Sequence, residues 1–280
     1  MRSRSGGSLS RGLSAVLAAA GVLAVATSAQ AQVSPPAQGP WGGKTKAVGK
    51  YAEVNGIKLY YEIQGKGKPL ILLHGGLGAI EMFGPNLPAL GKVRQVIGVD
   101  LQGHGRTADI DRPLSVELMA DDIAALIKYL KLERPDIMGY SLGGGVALQT
   151  AIRHPEVVGK LVVVSTVIRR NAYYPEILAQ QAQVTGAMAE NMKQTPMYQL
   201  YASLAPRPED FPKLLDKIGE AMKQDFDFSK DVIRTPNDRH HSLLLLPPSS
   251  MAILNAGVPW PSTAGYTASS AAEPRRFRCR

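Results

Sequence analysis

Asp136-Ile137-Met138-Gly139-Tyr140-Ser141-Leu142-Gly143-Gly144-Gly145 passes from a short apolar run through G-x-S-x-G into a helix-forming segment. That pattern predicts a buried strand, a sharp turn and a helix, with Ser141 at the turn. A serine held there has its hydroxyl pushed out at the top of a sheet. Glycines at 139 and 143 let strand and helix approach without side-chain clash. The helix is expected to continue through Val146 to Ile152 and to stop at His154-Pro155, because proline biases the preceding residue away from helical geometry. The competing reading is a glycine-rich turn that cradles a phosphate. It requires Gly-Lys-Ser/Thr or G-x-G-x-x-G, and neither occurs at this turn. Ser141 is therefore a candidate nucleophile.

Working outward, Leu70-Ile71-Leu72-Leu73, Gln95 to Val99, Asp136 to Tyr140 and Leu161 to Val164 are near-continuous apolar runs, as expected of parallel strands buried on both faces. Tyr51 to Val54, Asn55-Gly56 and Ile57 to Ile63 form a hairpin signal, with Asn-Gly accepting the positive φ of a tight turn. Ser115 to Leu130 reads as an N-capped helix whose apolar positions recur at helical spacing while Asp121 and Asp122 face the other way. The order implies an α/β domain with a mostly parallel central sheet and helices on both faces. In such sheets the site lies at the carboxyl ends of the strands, where His74-Gly75-Gly76, Asp100 and Ser141 all fall. Residues 171–228 interrupt the alternation with a helical insertion rich in methionine and aromatic residues. It is read as a lid, whose side chains either pack its own underside or line an apolar pocket.

The two ends differ from this body. Arg2, Arg4 and Arg11, the apolar run Leu13 to Ala26 and Ala29-Gln30-Ala31 read as a signal peptide over 1–31. The run falls short of the about 20 residues a bilayer span needs, so export to the periplasm or exterior is expected, with no stable membrane anchor. Residues 32–49, with Pro35, Pro36 and Pro40, read as a flexible leader to a domain spanning 50–236. The formal charge of +9 comes mostly from the arginines of the two ends, and no basic face interleaved with aromatics suggests a nucleic-acid partner. Cys279 is the single cysteine, so no intrachain disulfide forms. The five histidines, His74, His104, His154, His240 and His241, occupy no metal-ligand spacing.

Leu72-Leu73-His74-Gly75-Gly76, Asp100-Leu101-Gln102-Gly103-His104-Gly105-Arg106-Thr107 and Gly139-Tyr140-Ser141-Leu142-Gly143-Gly144 occur in the order that the α/β-hydrolase fold family uses. The chain resembles that family's small, cofactor-free, esterase-like branch over roughly residues 50 to 236. The resemblance implies that Ser141 attacks the carbonyl of a small ester or other acyl substrate and forms an acyl-enzyme. It also implies that the backbone N–H groups of Gly76 and Leu142 stabilise the oxyanion. No cofactor and no metal are implied. His74 and His104 precede or divide glycines in turns, so they are expected to shape loops, and His154 to end a helix.

The family's order is Ser, then Asp or Glu, then His, and here the resemblance stops. Phe228 to Pro236 looks like the approach to the next strand. After Pro236 the chain gives Asn237-Asp238-Arg239-His240-His241-Ser242, four leucines, Pro247-Pro248 and a Ser-, Ala-, Pro- and Arg-rich stretch without periodicity. Residues 237–280 are accordingly read as an irregular tail, disordered or translated out of frame, that leaves the sheet incomplete at its C-terminal strands. Asp238 with His240 or His241 follows Ser141 in the right chain order, although the two members are nearly adjacent, and Asp225, Asp227 and Asp231 are expected to be solvated helix-end or loop carboxylates. The sequence thus supports two functional readings: a serine hydrolase, or a catalytically impaired or non-catalytic protein of the same fold.

Overall fold

A computed structural model describes residues 49–228 and, for the backbone, 243–246. The expected signal peptide, nearly all of the leader, and the tail apart from Leu243–Leu246 lie outside these described residues. The sheet has seven strands in the order β1-β2-β4-β3-β5-β6-β7. Strands β1 (Lys50–Val54) and β2 (Ile57–Gln64) form the expected hairpin, with Asn55 and Gly56 at φ of 47° and 78°. Strands β3 (Pro69–Leu73), β4 (Gln95–Val99), β5 (Asp136–Tyr140) and β6 (Leu161–Val164) are mutually parallel, and β2 joins β4 antiparallel.

Strand alternation divides the core. Ile71, Leu73, Ile97, Val99 and Ile137 face helices α2 (Val116–Tyr129) and α3 (Leu142–Arg153). Leu70, Leu72, Val96 and Met138 face the other way, onto Leu87 of the short α1 (Asn86–Gly91) and the neighbouring Ile80 and Phe83. A period of two in the side chains thus buries both sheet faces, as the unbroken apolar runs require. Ser115 caps α2 by accepting the Leu118 N–H at 3.1 Å.

Two expectations are corrected. Asp122 does not face solvent: it is buried, paired with the Arg112 guanidinium and bonded by the Asn55 amide at 3.1 Å. Burial raises its carboxyl above the ordinary value, and the contacts with Arg112 and Asn55 oppose that shift. The second correction concerns the tail. The expected irregular stretch supplies β7 (Leu243–Leu246), which pairs parallel with β6 from Leu161↔Leu243 to Val164↔Leu246. Four consecutive leucines form the apolar run suited to a parallel edge there. Among the described residues no strand follows β7.

The insertion contains α4 (Pro175–Gln181), α5 (Ala189–Met192), α6 (Pro196–Leu204) and α7 (Phe211–Lys223). It is closed at its base by an antiparallel bridge between Arg169 and Asp227. On either side of the bridge the Phe228 N–H donates to the Ile168 carbonyl at 2.8 Å, and the Arg170 N–H to the Phe226 carbonyl at 2.9 Å.

Candidate active site

Ser141 occupies the turn between β5 and α3 with φ 50° and ψ −114°, a conformation costly for a residue that carries a Cβ. The surroundings enforce it. The Ser141 N–H donates to the Val164 carbonyl at 2.9 Å, and the Gly143 N–H donates to the His74 carbonyl at 3.0 Å. The flanking glycines are required by space: a Cβ on Gly139 would lie 2.0 Å from the Gly143 oxygen, and one on Gly143 2.3 Å from the Leu73 oxygen. Ser141 is exposed, at the N-terminus of the 12-residue α3, whose dipole end is positive.

Gly76 and Leu142 lie side by side, since a Cβ on Gly76 would contact the Leu142 side chain at 3.9 Å. Neither amide donates to a backbone carbonyl in any turn or cap among the described residues. For Leu142 this reflects its place as the first helical residue, whose N–H has no intrahelical acceptor. Ser141, Gly76 and Leu142 border one pocket of about 250 Å³. Leu114, Met119 and Ile218 supply apolar wall, and the rim carries the carboxylates of Glu117 and Asp225.

The lid aromatics and methionines serve both expected purposes. Met192, Tyr201 and Phe211 are buried in the core, with the Tyr201 and Phe211 rings 5.1 Å apart. Tyr173, Met222, Phe226 and Phe228 reach the pocket. Phe226 and Phe228, two positions apart on the strand-like segment at the lid base, stack with ring centroids 5.1 Å apart and planes inclined by 26°.

The histidines of the body are loop elements. His74 is fully enclosed, its Nδ1 2.7 Å from the Gly75 oxygen and its Nε2 accepting the Leu101 N–H at 3.0 Å. Burial, with the neighbouring His104, pushes its imidazole down to about 3. His104 is equally buried, its Nδ1 2.8 Å from the Gln102 oxygen, and burial lowers it to about 4. His154 pairs with Asp121 at 2.7 Å beyond the end of α3. None of these three borders the pocket. Asp100 accepts the Ile80 and Arg106 N–H groups, each at 2.9 Å, and braces the turn after β4. Burial raises its carboxyl to about 7 against those bonds. Asp238, His240 and His241 lie outside the described residues.

The direction of β7 bears on that pair. Leu243 is level with Leu161 and Ile137, at the edge of the sheet away from Ser141, whereas Leu246 is level with Val164 and Tyr140. Histidines 240 and 241 thus precede the strand's remote end in sequence, and the sequence after Leu246 holds no histidine.

No sequence motif singles out Thr166. Its hydroxyl donates to the Ser141 carbonyl at 2.8 Å, and it borders the pocket. The available signal is its position just past the carboxyl end of the strand beside the turn.

A family model described as the alpha/beta hydrolase fold matches residues 68–207. The chain is 33% identical over 123 residues to 2-hydroxymuconate semialdehyde hydrolase of Pseudomonas sp. (strain CF600), which covers 42% of this chain and 44% of that protein. It is 31% identical over 221 residues to the dihydrolipoyllysine-residue acetyltransferase component of the acetoin cleaving system of Pseudomonas putida, covering 73% of this chain and 59% of that protein. The chain therefore spans about half the length of the curated relatives it matches. Among solved structures, the enol-lactonase from Burkholderia xenovorans LB400 superposes with a TM-score of 0.51 at 22% identity, over 70% of this chain and 79% of that one. At that identity the likeness concerns the fold.

Proposed function

The chain belongs to the alpha/beta hydrolase fold family, and on that premise we propose that it hydrolyses small ester or related acyl substrates through an acyl-enzyme on Ser141. The observation that carries this reading is the strained, exposed Ser141 beside the untied amides of Gly76 and Leu142. A serine aimed by its backbone into a pocket can approach an acyl carbonyl from a fixed direction. The two N–H groups receive the charge that then develops on the carbonyl oxygen, and being main-chain donors they need no reorganisation as it does so. The apolar wall accepts the acyl or alcohol group, and no cofactor enters the reaction. Homologues named as hydrolases support this class of chemistry.

The serine proton must pass to a base. The candidates that follow Ser141 in the family's chain order are Asp238 as acid with His240 or His241 as base. The second reading is a protein of this fold in which proton transfer is impaired. It is favoured by the register of β7, which starts at the sheet edge away from Ser141.

A fluorophosphonate probe applied to the purified protein tests the proposal. Covalent modification mapped to Ser141, and abolished in Ser141→Ala, is the expected result. A folded protein that stays unlabelled would favour the impaired form.

A further inference from the structure

The Ser141–Leu142 peptide unit is planar and trans, so its C=O and N–H point in opposite directions and whatever fixes one aims the other. Three donors converge on the Ser141 oxygen. The Gly144 and Gly145 N–H groups, at 2.9 and 3.1 Å, open helix α3. The third, the Thr166 hydroxyl at 2.8 Å, comes from the loop after β6. That hydroxyl also lies 3.3 Å from the Val164 oxygen, but it has a single proton and the shorter contact is to Ser141.

The approach is close. A Cβ on Gly144 would stand 2.0 Å from Thr166 Oγ1, so glycine at 144 makes room for the threonine. Since the Ser141 N–H also donates to Val164, both backbone polar groups of Ser141 are held from the segment 164–166.

Hydrogen bonds in series polarise one another, and a bond accepted at an amide oxygen makes the N–H of the same amide a better donor. We infer that Thr166 is a positioning residue that aims and polarises the Leu142 N–H, the oxyanion donor of the proposed hydrolysis, on which this assignment rests. Thr166 touches neither the nucleophile's hydroxyl nor the oxyanion in this scheme. It acts through one peptide plane, and its effect falls on the transition state, where the oxyanion charge appears.

A whole oxyanion donor is worth about 10²–10³ in rate. A change of about 10–30% in such a bond corresponds to roughly two- to eightfold. Thr166→Val is therefore expected to react with a fluorophosphonate probe about two- to eightfold more slowly than the native protein, with Thr166→Ser restoring the rate. In p-nitrophenyl butyrate hydrolysis, kcat falls by the same factor while KM and the thermal midpoint hold, a split that simple loosening of the pocket would not give. Thr166→Ala gives the same reading should valine crowd Gly144. Equal labelling of native and hydroxyl-free proteins overturns the assignment, as does a loss confined to KM. Failure of the native protein itself to label at Ser141 overturns the hydrolase reading and this assignment with it, and is seen before any Thr166 variant is compared.

Discussion

Lys217, on the last lid helix, places its ammonium 2.6 Å from a carboxylate oxygen of Asp109, in the loop that succeeds β4. The same ammonium donates to the carbonyls of Ile110 and Arg112 at 2.8 and 2.7 Å, so all three of its protons are used. This largely buried contact ties α7 to the body of the domain. Burial alone would raise the Asp109 carboxyl, but the bonds from Lys217 and Gln102 outweigh it and hold it below its ordinary value. Its contribution is present above the ordinary carboxylate range and is lost as pH falls through the lowered value. Lys217→Met removes the nearer of two lysines from the Asp109 carboxylate, which keeps Lys213 at 3.4 Å and the Gln102 amide, and leaves two carbonyls without this donor. It should cost about 1–3 kcal/mol in urea unfolding. Limited proteolysis should then cut first within the lid, and cleavage elsewhere in the body would contradict the anchoring role.

The turn at Ser141 depends on absent side chains. Gly139→Ala and Gly143→Ala each drive a methyl into backbone atoms that have nowhere to move. Each substitution should cost about 1–3 kcal/mol or more, through overpacking. Thermal unfolding measures this, and a midpoint equal to that of the native protein would show that strand and helix are free to separate at the turn.

Stability should depend on pH through the buried histidines. His74 and His104 are held neutral by burial, at about 3 and about 4, against an ordinary value of 6.5. Below 6.5 an unfolded chain takes up protons that the folded one refuses, so this stability is complete above 6.5 and is lost as the medium is acidified toward those lowered values. Asp100 runs the other way. Raised from 3.8 to about 7, its contribution is complete below 3.8 and is lost as pH rises through 7. Two histidines outweigh one carboxyl, so net stability should fall on acidification below about 6.5. His104→Gln should flatten that fall and Asp100→Asn should steepen it, both read from urea midpoints between pH 4 and 6.5.

The stacked Phe226 and Phe228 line the pocket that Ser141 borders. Phe226→Ala should shift preference toward longer chains in a series of p-nitrophenyl esters, and an unchanged chain-length profile would remove the ring from the substrate wall. Because this segment is held by backbone bonds to Ile168 and Arg170 and not by the ring, the lid base should survive the substitution.

Most of the sheet was legible because doubly buried strands leave unbroken apolar runs, and the turn at Ser141 was legible because its geometry tolerates few residues. The parts that escaped have a common physical origin. Asp122 breaks the polar-outside pattern through Arg112 and Asn55, which are distant in sequence. Leu243–Leu246 is short enough to be lost among prolines and serines, and its pairing with β6 spans some eighty residues of chain. Thr166 carries no motif, because its importance comes from which carbonyl it happens to face.

The bridge between Arg169 and Asp227 means that the lid leaves and re-enters the body at a single point. The sheet therefore experiences those intervening residues as if they were one short connection. Stretches of it that face solvent or the pocket can therefore change by insertion or exchange without altering strand order, whereas the buried side of α7, with Phe211 and Lys217, is tied to the body and must be kept.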